Sequence, residues 1–271
     1  MLVGTALAGS EDVFRPLAFV AALGGSIFIQ IGTNLVNDYS DARRGADTAD
    51  RLGPVRVTAA GLVAPRQVLV ATWLAFAVAV AFGAYLIALV GWELLAVGIA
   101  SIVAGVLYTG GPRPYGYEGL GEVFVFLFFG IVAVTGSYYV QTEELRLIAF
   151  KLAVPVGLLA ATILMVNNIR DIDTDRRAGK RTLAVRLGRE NARRAFLITL
   201  AAVVGVTVGN AGGAGEPWLA LPLLASPLAL PLIDTVSTRT DGPSLNAALA
   251  GTGRLLAAYA LLLSAGLLLS G

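Results

Sequence analysis

The sequence predicts an all-α protein, a polytopic bundle of transmembrane helices. Hydrophobic residues make up 56% of the chain and charged residues only 14%, and the mean hydropathy is +0.76. An ordinary soluble domain carries about 25% charged residues. The apolar residues also fall into long continuous runs, whereas the strands of a membrane β-barrel alternate between apolar and polar side chains. Both observations favour helices that cross a lipid bilayer.

Eight apolar runs are candidates for membrane spans, since roughly 20 helical residues cross the hydrocarbon core of a bilayer. In chain order they are 14–37, 67–90, 92–109, 121–141, 147–168, 192–210, 217–235 and 253–270. Residues 1–8 are also apolar, but they are too few to span and match the last two turns of a helix that stops at residues 9–12. We therefore expect a truncated first helix, nine spans in the complete protein, and one integral-membrane domain over residues 1–271.

The distribution of lysine and arginine predicts the orientation of the spans. Segments 38–66, 110–119, 169–194 and 234–254 carry 5, 1, 9 and 2 of these residues, whereas only Arg15, Arg146 and Lys151 lie in the loops of the other face. Short loops rich in lysine and arginine stay in the cytoplasm. We therefore expect a multi-pass protein of the cell membrane. Segments 38–66 and 169–194, which contain the two most lysine- and arginine-rich loops, should face the cytoplasm.

Two acidic motifs lie at the ends of apolar runs, where charge is costly. Residues 37–47 and 167–175 each contain an asparagine followed four residues later by an aspartate: Asn37 with Asp41, and Asn167 with Asp171, which Asp175 extends. On a helix this spacing places the side chains on one face. Like charges so placed repel unless a cation lies between them, and oxygen ligands of this kind suit Mg²⁺ shared with substrate phosphates. Because the chain has no cysteine or histidine, thiol chemistry and histidine-ligated zinc are excluded.

Cationic side chains accompany both motifs and indicate a diphosphate partner. Those expected to contact diphosphate are Arg43, Arg44, Arg113, Lys180 and Arg181. Carboxylates that hold metal and cations that hold phosphate oxygens are the two halves of a metal-diphosphate site. The alternative is that these acids and bases simply pair with each other at the membrane boundary. Two motifs with the same skeleton on the same face favour function over that alternative.

The turn between the third and fourth runs has features of a ligand-binding loop. Gly110 and Gly111 permit a close approach of the backbone, and Arg113 is the only cation of the segment 110–119. Tyr108 and Tyr115 flank the turn, so their ring faces are candidates for contact with a cationic group, more so than Tyr117 or the phenylalanines of run 121–141. The alternative is a plain interhelical turn whose arginine sets topology.

The chain resembles the UbiA-type intramembrane prenyltransferase superfamily, and within it the branch that prenylates 1,4-dihydroxy-2-naphthoate in menaquinone biosynthesis. The resemblance rests on residues 37–47, 52–59, 108–117, 119–122, 167–175 and 178–184, and it extends over nearly the whole chain in span order. Relative to the family pattern, we expect the chain to lack the first helix and the basic-proline element near the start of that pattern. The resemblance implies a bundle of nine helices around a central cavity, closed on the cytoplasmic side by the loops that carry the two motifs.

The resemblance also implies the ligands and the reaction. Two Mg²⁺ ions would be held by Asn37, Asp38, Asp41 and Asp47 and by Asn167, Asp171 and Asp175, with Asp41, Asp171, Asp175, Arg113, Tyr108 and Tyr115 acting in catalysis. A polyprenyl group would pass from a polyprenyl diphosphate to 1,4-dihydroxy-2-naphthoate, with loss of CO₂ and diphosphate. Arg56 and Thr58 are candidates for the carboxylate of the acceptor or for a phosphate. The expected partners are these two substrates and the lipid bilayer, without nucleic acid.

Two alternatives remain open from the sequence. A sibling transferase would use another aromatic acceptor, such as 4-hydroxybenzoate. An ion-coupled transporter is a more distant alternative, because transporters place ionisable side chains near the midplane of the membrane, whereas both motifs here lie at span ends.

Overall fold

The structure is a computed structural model that describes residues 1–46 and 52–270, and its regular structure within these ranges is entirely helical. The predicted all-α class is therefore confirmed. The helices are α1 Leu2–Gly9, α2 Pro16–Arg43, α3 Pro65–Val90, α4 Glu93–Leu107, α5 Gly121–Thr142, α6 Leu147–Arg170, α7 Ile172–Arg177, α8 Leu183–Leu187, α9 Arg189–Ala214, α10 Pro217–Thr238 and α11 Gly242–Ser270. A 3₁₀ turn, Tyr115–Glu118, lies between α4 and α5.

Seven of these helices, α2, α3, α5, α6, α9, α10 and α11, are long and apolar enough to cross a membrane. Each overlaps a predicted run, but α11 begins 11 residues before the predicted run 253–270, within the segment 234–254 that was expected to be a loop. The remaining prediction, a span over 92–109, is too long: α4 has 15 residues and covers about 22 Å at 1.5 Å per residue. That helix ends at Leu107 and is followed by a turn in which Gly111 has φ +74°. The two-turn helix expected at residues 1–8 is present as α1.

One compact unit comprises Met1–Phe19, Glu122–Arg170 and Arg189–Gly271. Its centre is α6, which packs against α9, α11 and the middle of α5. That part of α5, Phe126–Val132, is a π-helical turn at which Gly130 packs directly on Gly157 of α6. A Cβ on Gly130 would lie only 2.4 Å from the Cα of Gly157, so two glycines are required where these helices touch. Two internal prolines, Pro222 and Pro227, remove backbone donors from the first part of α10, which is 3₁₀ in conformation.

The second compact unit comprises Val20–Gly121 and Asp171–Gly188. Helix α2 approaches α3 closely at Gly32, where a Cβ would lie 2.5 Å from the ring of Phe76. Helices α3 and α4 pack on each other as a hairpin. The opposite face of α3 exposes large apolar side chains such as Trp73 and Leu74, the pattern expected of a helix that faces lipid. The two short helices α7 and α8 complete this unit, which contains every predicted site residue of the described ranges except Asn167.

Candidate active site

The first acidic motif occupies the last two turns of α2. Asn37, Asp38 and Asp41 are 7%, 6% and 3% exposed, so the helix buries an amide and two carboxylates at its C-terminal end. Asn37 and Asp41 lie on one continuous helix, as the spacing predicted. Burying a carboxylate is costly unless charge or hydrogen bonds compensate it. Each of these three side chains has such compensation within the second unit.

Asp41 is compensated by one cation and one hydroxyl. Lys180 Nζ lies 3.0 Å from Asp41 Oδ2, and Tyr117 donates its hydroxyl to Asp41 Oδ1 at 2.7 Å. The ammonium group also lies 4.8 Å from the centre of the Tyr117 ring, a cation–π contact. Only 12% of the lysine side chain and 4% of the aspartate side chain are exposed. The site at Asp41 is therefore one that accepts a cation in a buried position.

Lys180 also joins the two acidic motifs. Its backbone N–H donates to the carbonyl oxygen of Asp175 at 2.9 Å, while its side chain contacts Asp41. The next residue, Arg181, donates its backbone N–H to the carbonyl oxygen of Tyr117 at 2.8 Å. The segment that follows the second motif is thus anchored on the first motif and on the turn after α4. Lys180 therefore contacts Asp41 of the first motif and Asp175 of the second motif within the second unit.

Asp38 and Asn37 organise the loops next to the site. Asp38 accepts hydrogen bonds from the backbone N–H groups of Val57 and Thr58, at 3.0 and 2.9 Å, one on each carboxylate oxygen. Asn37 Oδ1 accepts a hydrogen bond from the Thr109 hydroxyl at 2.8 Å. The chain therefore uses the first motif to fix both the 52–58 loop and the start of the 109–119 turn.

The second motif departs from the predicted geometry. The side chains of Asn167, Asp171 and Asp175 were expected on one face of a helix, but α6 ends at Arg170, and Asp171 precedes α7 with φ −92° and ψ 7°. One i→i+4 bond, from Asp175 N–H to Asp171 O at 2.8 Å, preserves the spacing of the two aspartates. The expectation of a single helical ladder was therefore wrong at Asp171. Asp171 is buried, and Asp173 forms an exposed 3.8 Å ion pair with Arg176.

Asn167 belongs to the first unit and is held there by a buried arginine. Arg170 donates to Asn167 Oδ1 at 2.8 Å and to Asn246 Oδ1 of α11 at 2.6 Å, and only 2% of this arginine is exposed. The amide oxygen predicted to bind metal is thus oriented by a neighbouring cation.

The predicted diphosphate cations differ in their surroundings. Arg44 donates to the carbonyl oxygen of Gly111 and lies over the Tyr117 ring, 5.7 Å from its centre. Gly111 has φ +74°, a conformation that favours glycine and turns its carbonyl toward the arginine. Arg43 donates to the Tyr39 hydroxyl at 3.0 Å on its own helix. Arg113 and Arg181 are exposed at the ends of this region, and their side chains reach solvent.

The two tyrosines predicted to present their rings, and the two residues predicted to bind the acceptor, lie in two different loops. The rings of Tyr108 and Tyr115 meet edge to face with centres 5.4 Å apart, and Tyr115 donates its hydroxyl to Ala104 O at 2.8 Å. Burial raises the pKa of Tyr115, so its hydroxyl remains a donor. Arg56 and Thr58 are half-buried beside Asp38, and the Thr58 hydroxyl is buried without a hydrogen-bond partner among the described residues. Such a hydroxyl can donate a hydrogen bond to an oxygen atom of a ligand.

The oxygen donors of the site are of the kind that bind a metal ion, but they do not form a cluster of carboxylates in the described residues. Within residues 1–46 and 52–270, no group of three or more acidic side chains is close enough to hold an ion together. Asp47 lies outside the described residues. Where Mg²⁺ was expected at Asp41, Lys180 provides the positive charge. Buried oxygen donors next to a cation fit a divalent ion chemically, since a metal can replace the ammonium group as counter-charge.

Two residues of the site were missed or underrated by the sequence interpretation. Tyr117 was ranked below Tyr108 and Tyr115, yet it is the tyrosine that contacts the acidic motif. Thr109 was not selected at all, although it hydrogen-bonds Asn37. Its position directly before the two glycines was the only available signal.

A membrane-spanning helical protein with two acidic motifs beside cationic side chains is a candidate for intramembrane diphosphate chemistry. The model of the UbiA prenyltransferase family matches residues 1–249, and the chain belongs to that family. A 1,4-dihydroxy-2-naphthoate octaprenyltransferase of Mycobacterium tuberculosis is 41% identical over 242 residues, which cover 89% of this chain and 81% of that protein. These findings confirm the family resemblance and establish a prenyltransferase.

Solved structures share the fold. A UbiA homologue from Aeropyrum pernix superimposes with a TM-score of 0.72 at 18% identity, covering 96% of this chain and 95% of that one. A UbiA homologue from Archaeoglobus fulgidus, bound to GPP and Mg²⁺, gives a TM-score of 0.65 at 15% identity, covering 97% of this chain and 94% of that one. At such identities the likeness extends to the fold alone.

Proposed function

We propose that residues 1–271 form one catalytic domain that transfers a polyprenyl group from a polyprenyl diphosphate to 1,4-dihydroxy-2-naphthoate, releasing CO₂ and diphosphate. The observation that carries the proposal is the buried contact of Lys180 with Asp41, because the same lysine is also bonded through its backbone to Asp175 of the second motif. Membership of the prenyltransferase family supports the reaction class. The name of the 41% identical relative supports the acceptor.

The metal would be Mg²⁺, held by the first motif through Asn37, Asp38, Asp41 and Asp47 and by the second through Asn167, Asp171 and Asp175. When bound, Mg²⁺ would neutralise the diphosphate oxygens and so assist departure of the leaving group. The bound Mg²⁺ of the Archaeoglobus homologue supports this cofactor for the fold. The catalytic contribution of Asp41, Asp171 and Asp175 would be to hold this charge in place.

The cations of the second unit would bind the diphosphate directly. Lys180 and Arg44 both contact Tyr117, so their charges are already gathered around one ring. Arg43, Arg113 and Arg181 lie at the exposed edge and would complete binding. Donors fixed before substrate arrives stabilise developing charge without reorganisation.

The allylic cation requires an apolar, water-free surrounding and aromatic faces. Tyr108 and Tyr115 present such faces, and the hydrogen bond from Tyr115 to Ala104 holds the pair in place. On the acceptor side, the backbone at 57–58 is fixed by Asp38, which positions Arg56 and Thr58 to bind the naphthoate carboxylate. Attack by the ring carbon that bears this carboxylate, followed by loss of CO₂, would give the prenylated hydroquinone.

We propose that the protein lies in the cell membrane with the loops that carry the two acidic motifs in the cytoplasm. It rests on the 17 lysines and arginines of one set of loops against three of the other. The site would then face the side from which both charged substrates come.

The test is an in vitro assay with the purified chain of residues 1–271, octaprenyl diphosphate and Mg²⁺, offered 1,4-dihydroxy-2-naphthoate or 4-hydroxybenzoate. We expect prenylated, decarboxylated product from the naphthoate alone, by mass spectrometry, and loss of product on chelation with restoration by Mg²⁺. Product from 4-hydroxybenzoate would instead support the sibling transferase. If no acceptor led to release of diphosphate, the proposed prenyltransferase activity would be refuted.

A further inference from the structure

Tyr117 contacts charged side chains of both signs within the second compact unit. Its hydroxyl donates to Asp41 Oδ1 at 2.7 Å. The centre of its ring lies 4.8 Å from Lys180 Nζ and 5.7 Å from the guanidinium carbon of Arg44. One side chain therefore contacts a proposed metal ligand and two of the cations proposed to bind the diphosphate.

The backbone of Tyr117 is fixed on both sides. Its N–H donates to Pro114 O at 3.0 Å, and its carbonyl oxygen accepts from the Arg181 N–H at 2.8 Å. The residue also belongs to the 3₁₀ turn Tyr115–Glu118. Lysine and arginine side chains have many rotamers and lose considerable entropy when they are held in one. A ring on a fixed backbone can therefore determine where two such side chains lie.

The two cations differ in what else holds them. The Lys180 side chain is 12% exposed and pairs with Asp41 at 3.0 Å, so a carboxylate holds one of its three donors. Arg44 is exposed, and its side chain donates to the carbonyl oxygen of Gly111, a neutral group. Two positive charges near one another repel, whereas the face of an aromatic ring attracts both. The ring also takes no N–H that a phosphate oxygen would accept.

We propose that Tyr117 is a positioning residue of the diphosphate site, and that the electron-rich face of its ring holds Lys180 and Arg44 where they bind the diphosphate oxygens. This inference rests on the proposed function. The ring acts on cations of the protein itself, unlike the two tyrosines proposed to face the allylic cation of the substrate. Cations that are held in place before the diphosphate arrives bind it without the cost of gathering them.

The test varies the charge distribution of the ring at constant shape. Tyr117→Phe removes the hydroxyl, and phenylalanine analogues with one, two or three ring fluorines at position 117 withdraw electron density from the same ring. The Kd of inorganic diphosphate is measured by calorimetry at saturating Mg²⁺. We expect it to rise with each fluorine, to about tenfold above Tyr117→Phe for three, the order expected for loss of cation–π contacts. A ring that only fills space would give one Kd throughout.

Two comparisons assign the effect to the cations. The same fluorinated analogues in place of Tyr85, which is 41% exposed on α3, are the matched control and should leave the Kd unchanged. In a Lys180→Met background, three fluorines at position 117 should raise the Kd only about threefold, because one of the two cations is gone. Difluorotyrosine in place of Tyr117 keeps the hydroxyl and should raise the Kd relative to wild type, even if Tyr117→Phe failed to fold.

Equal Kd values for Tyr117→Phe and its trifluorinated analogue would overturn the proposal. A fluorine effect of the same size in the Lys180→Met background would also overturn it, since the ring would then act on something other than this cation. These titrations need neither acceptor nor turnover. If the expected Kd series were found but wild type made no prenylated product, the proposed function alone would fail, so the two failures are distinguishable.

Discussion

Replacing Lys180 by methionine tests the central contact of the site. Methionine has a similar length but no charge, so among residues 1–46 and 52–270 it leaves the buried Asp41 carboxylate with only the Tyr117 hydroxyl as partner. Removing one member of a buried ion pair typically costs about 3–5 kcal/mol, because the remaining charge is uncompensated. Loss of the cation–π contact with Tyr117 adds roughly 0.5–1 kcal/mol. We expect the metal-free variant to be destabilised by about 3 kcal/mol or more.

The same change should strengthen binding of Mg²⁺ in the absence of diphosphate. In the wild type, the ion must displace the ammonium group from Asp41, whereas in Lys180→Met the carboxylate is available. A gain of 1.4 kcal/mol corresponds to about a tenfold tighter dissociation constant. A ligand that binds only the folded state stabilises it further, so Mg²⁺ should restore stability more in the variant than in the wild type. Turnover should fall despite the tighter metal binding, because the diphosphate loses a cation.

The assay is unfolding in mixed micelles, followed by tryptophan fluorescence with and without Mg²⁺, together with direct titration of the metal. Arg176→Met is the matched control, since its 3.8 Å pair with Asp173 has side chains 60% and 61% exposed, and such pairs contribute little. Wild-type stability of metal-free Lys180→Met, with unchanged Mg²⁺ affinity, would refute the conclusion that Lys180 compensates Asp41.

Three further predictions concern the acids and their partners. Asp41→Ala or Asp171→Ala should each abolish turnover while the protein stays folded by gel filtration, and near-normal activity of either variant would remove that carboxylate from the metal shell. Tyr117→Phe should lower stability by about 1–2 kcal/mol and reduce turnover, because it removes a hydrogen bond to a charged group, whereas exposed Tyr85→Phe should do neither. Asp38→Ala should raise the KM of the acceptor more than that of the diphosphate, since it frees the backbone at 57–58; equal effects on both constants would contradict this.

Much of the fold was predictable because lipid imposes a simple length rule on apolar helices. Seven spans overlap predicted runs. The limit of the rule appears at helix ends: α11 begins at Gly242, 11 residues before its predicted run, and α4 ends at Leu107, two residues before its predicted run does. Helix ends depend on local turn geometry that a hydropathy pattern does not record.

The candidate site was predictable in composition but not in pairing. Spacing places Asn37 and Asp41 on one face of α2, and this holds because α2 is continuous there. The same argument fails at Asp171, since it assumes a helix that in fact ends at Arg170. The contacts of Asp41 with Tyr117 and Lys180 join residues 76 and 139 positions apart. Such long-range pairs follow from tertiary packing, which no local pattern contains.

Asp38 and Asp41 of the first motif have different partners although they are three residues apart. Asp38 accepts hydrogen bonds from two backbone N–H groups and therefore fixes the 52–58 loop. Asp41 instead forms an ion pair with Lys180 and accepts a hydrogen bond from Tyr117, so it holds a positive charge in the site. Because both lie on the last turns of one helix, a shift of α2 that repositions Asp41 also moves the loop that Asp38 holds. The motif thus couples the side proposed for diphosphate to the side proposed for the acceptor, and substitutions at Asp38 and Asp41 should not be additive.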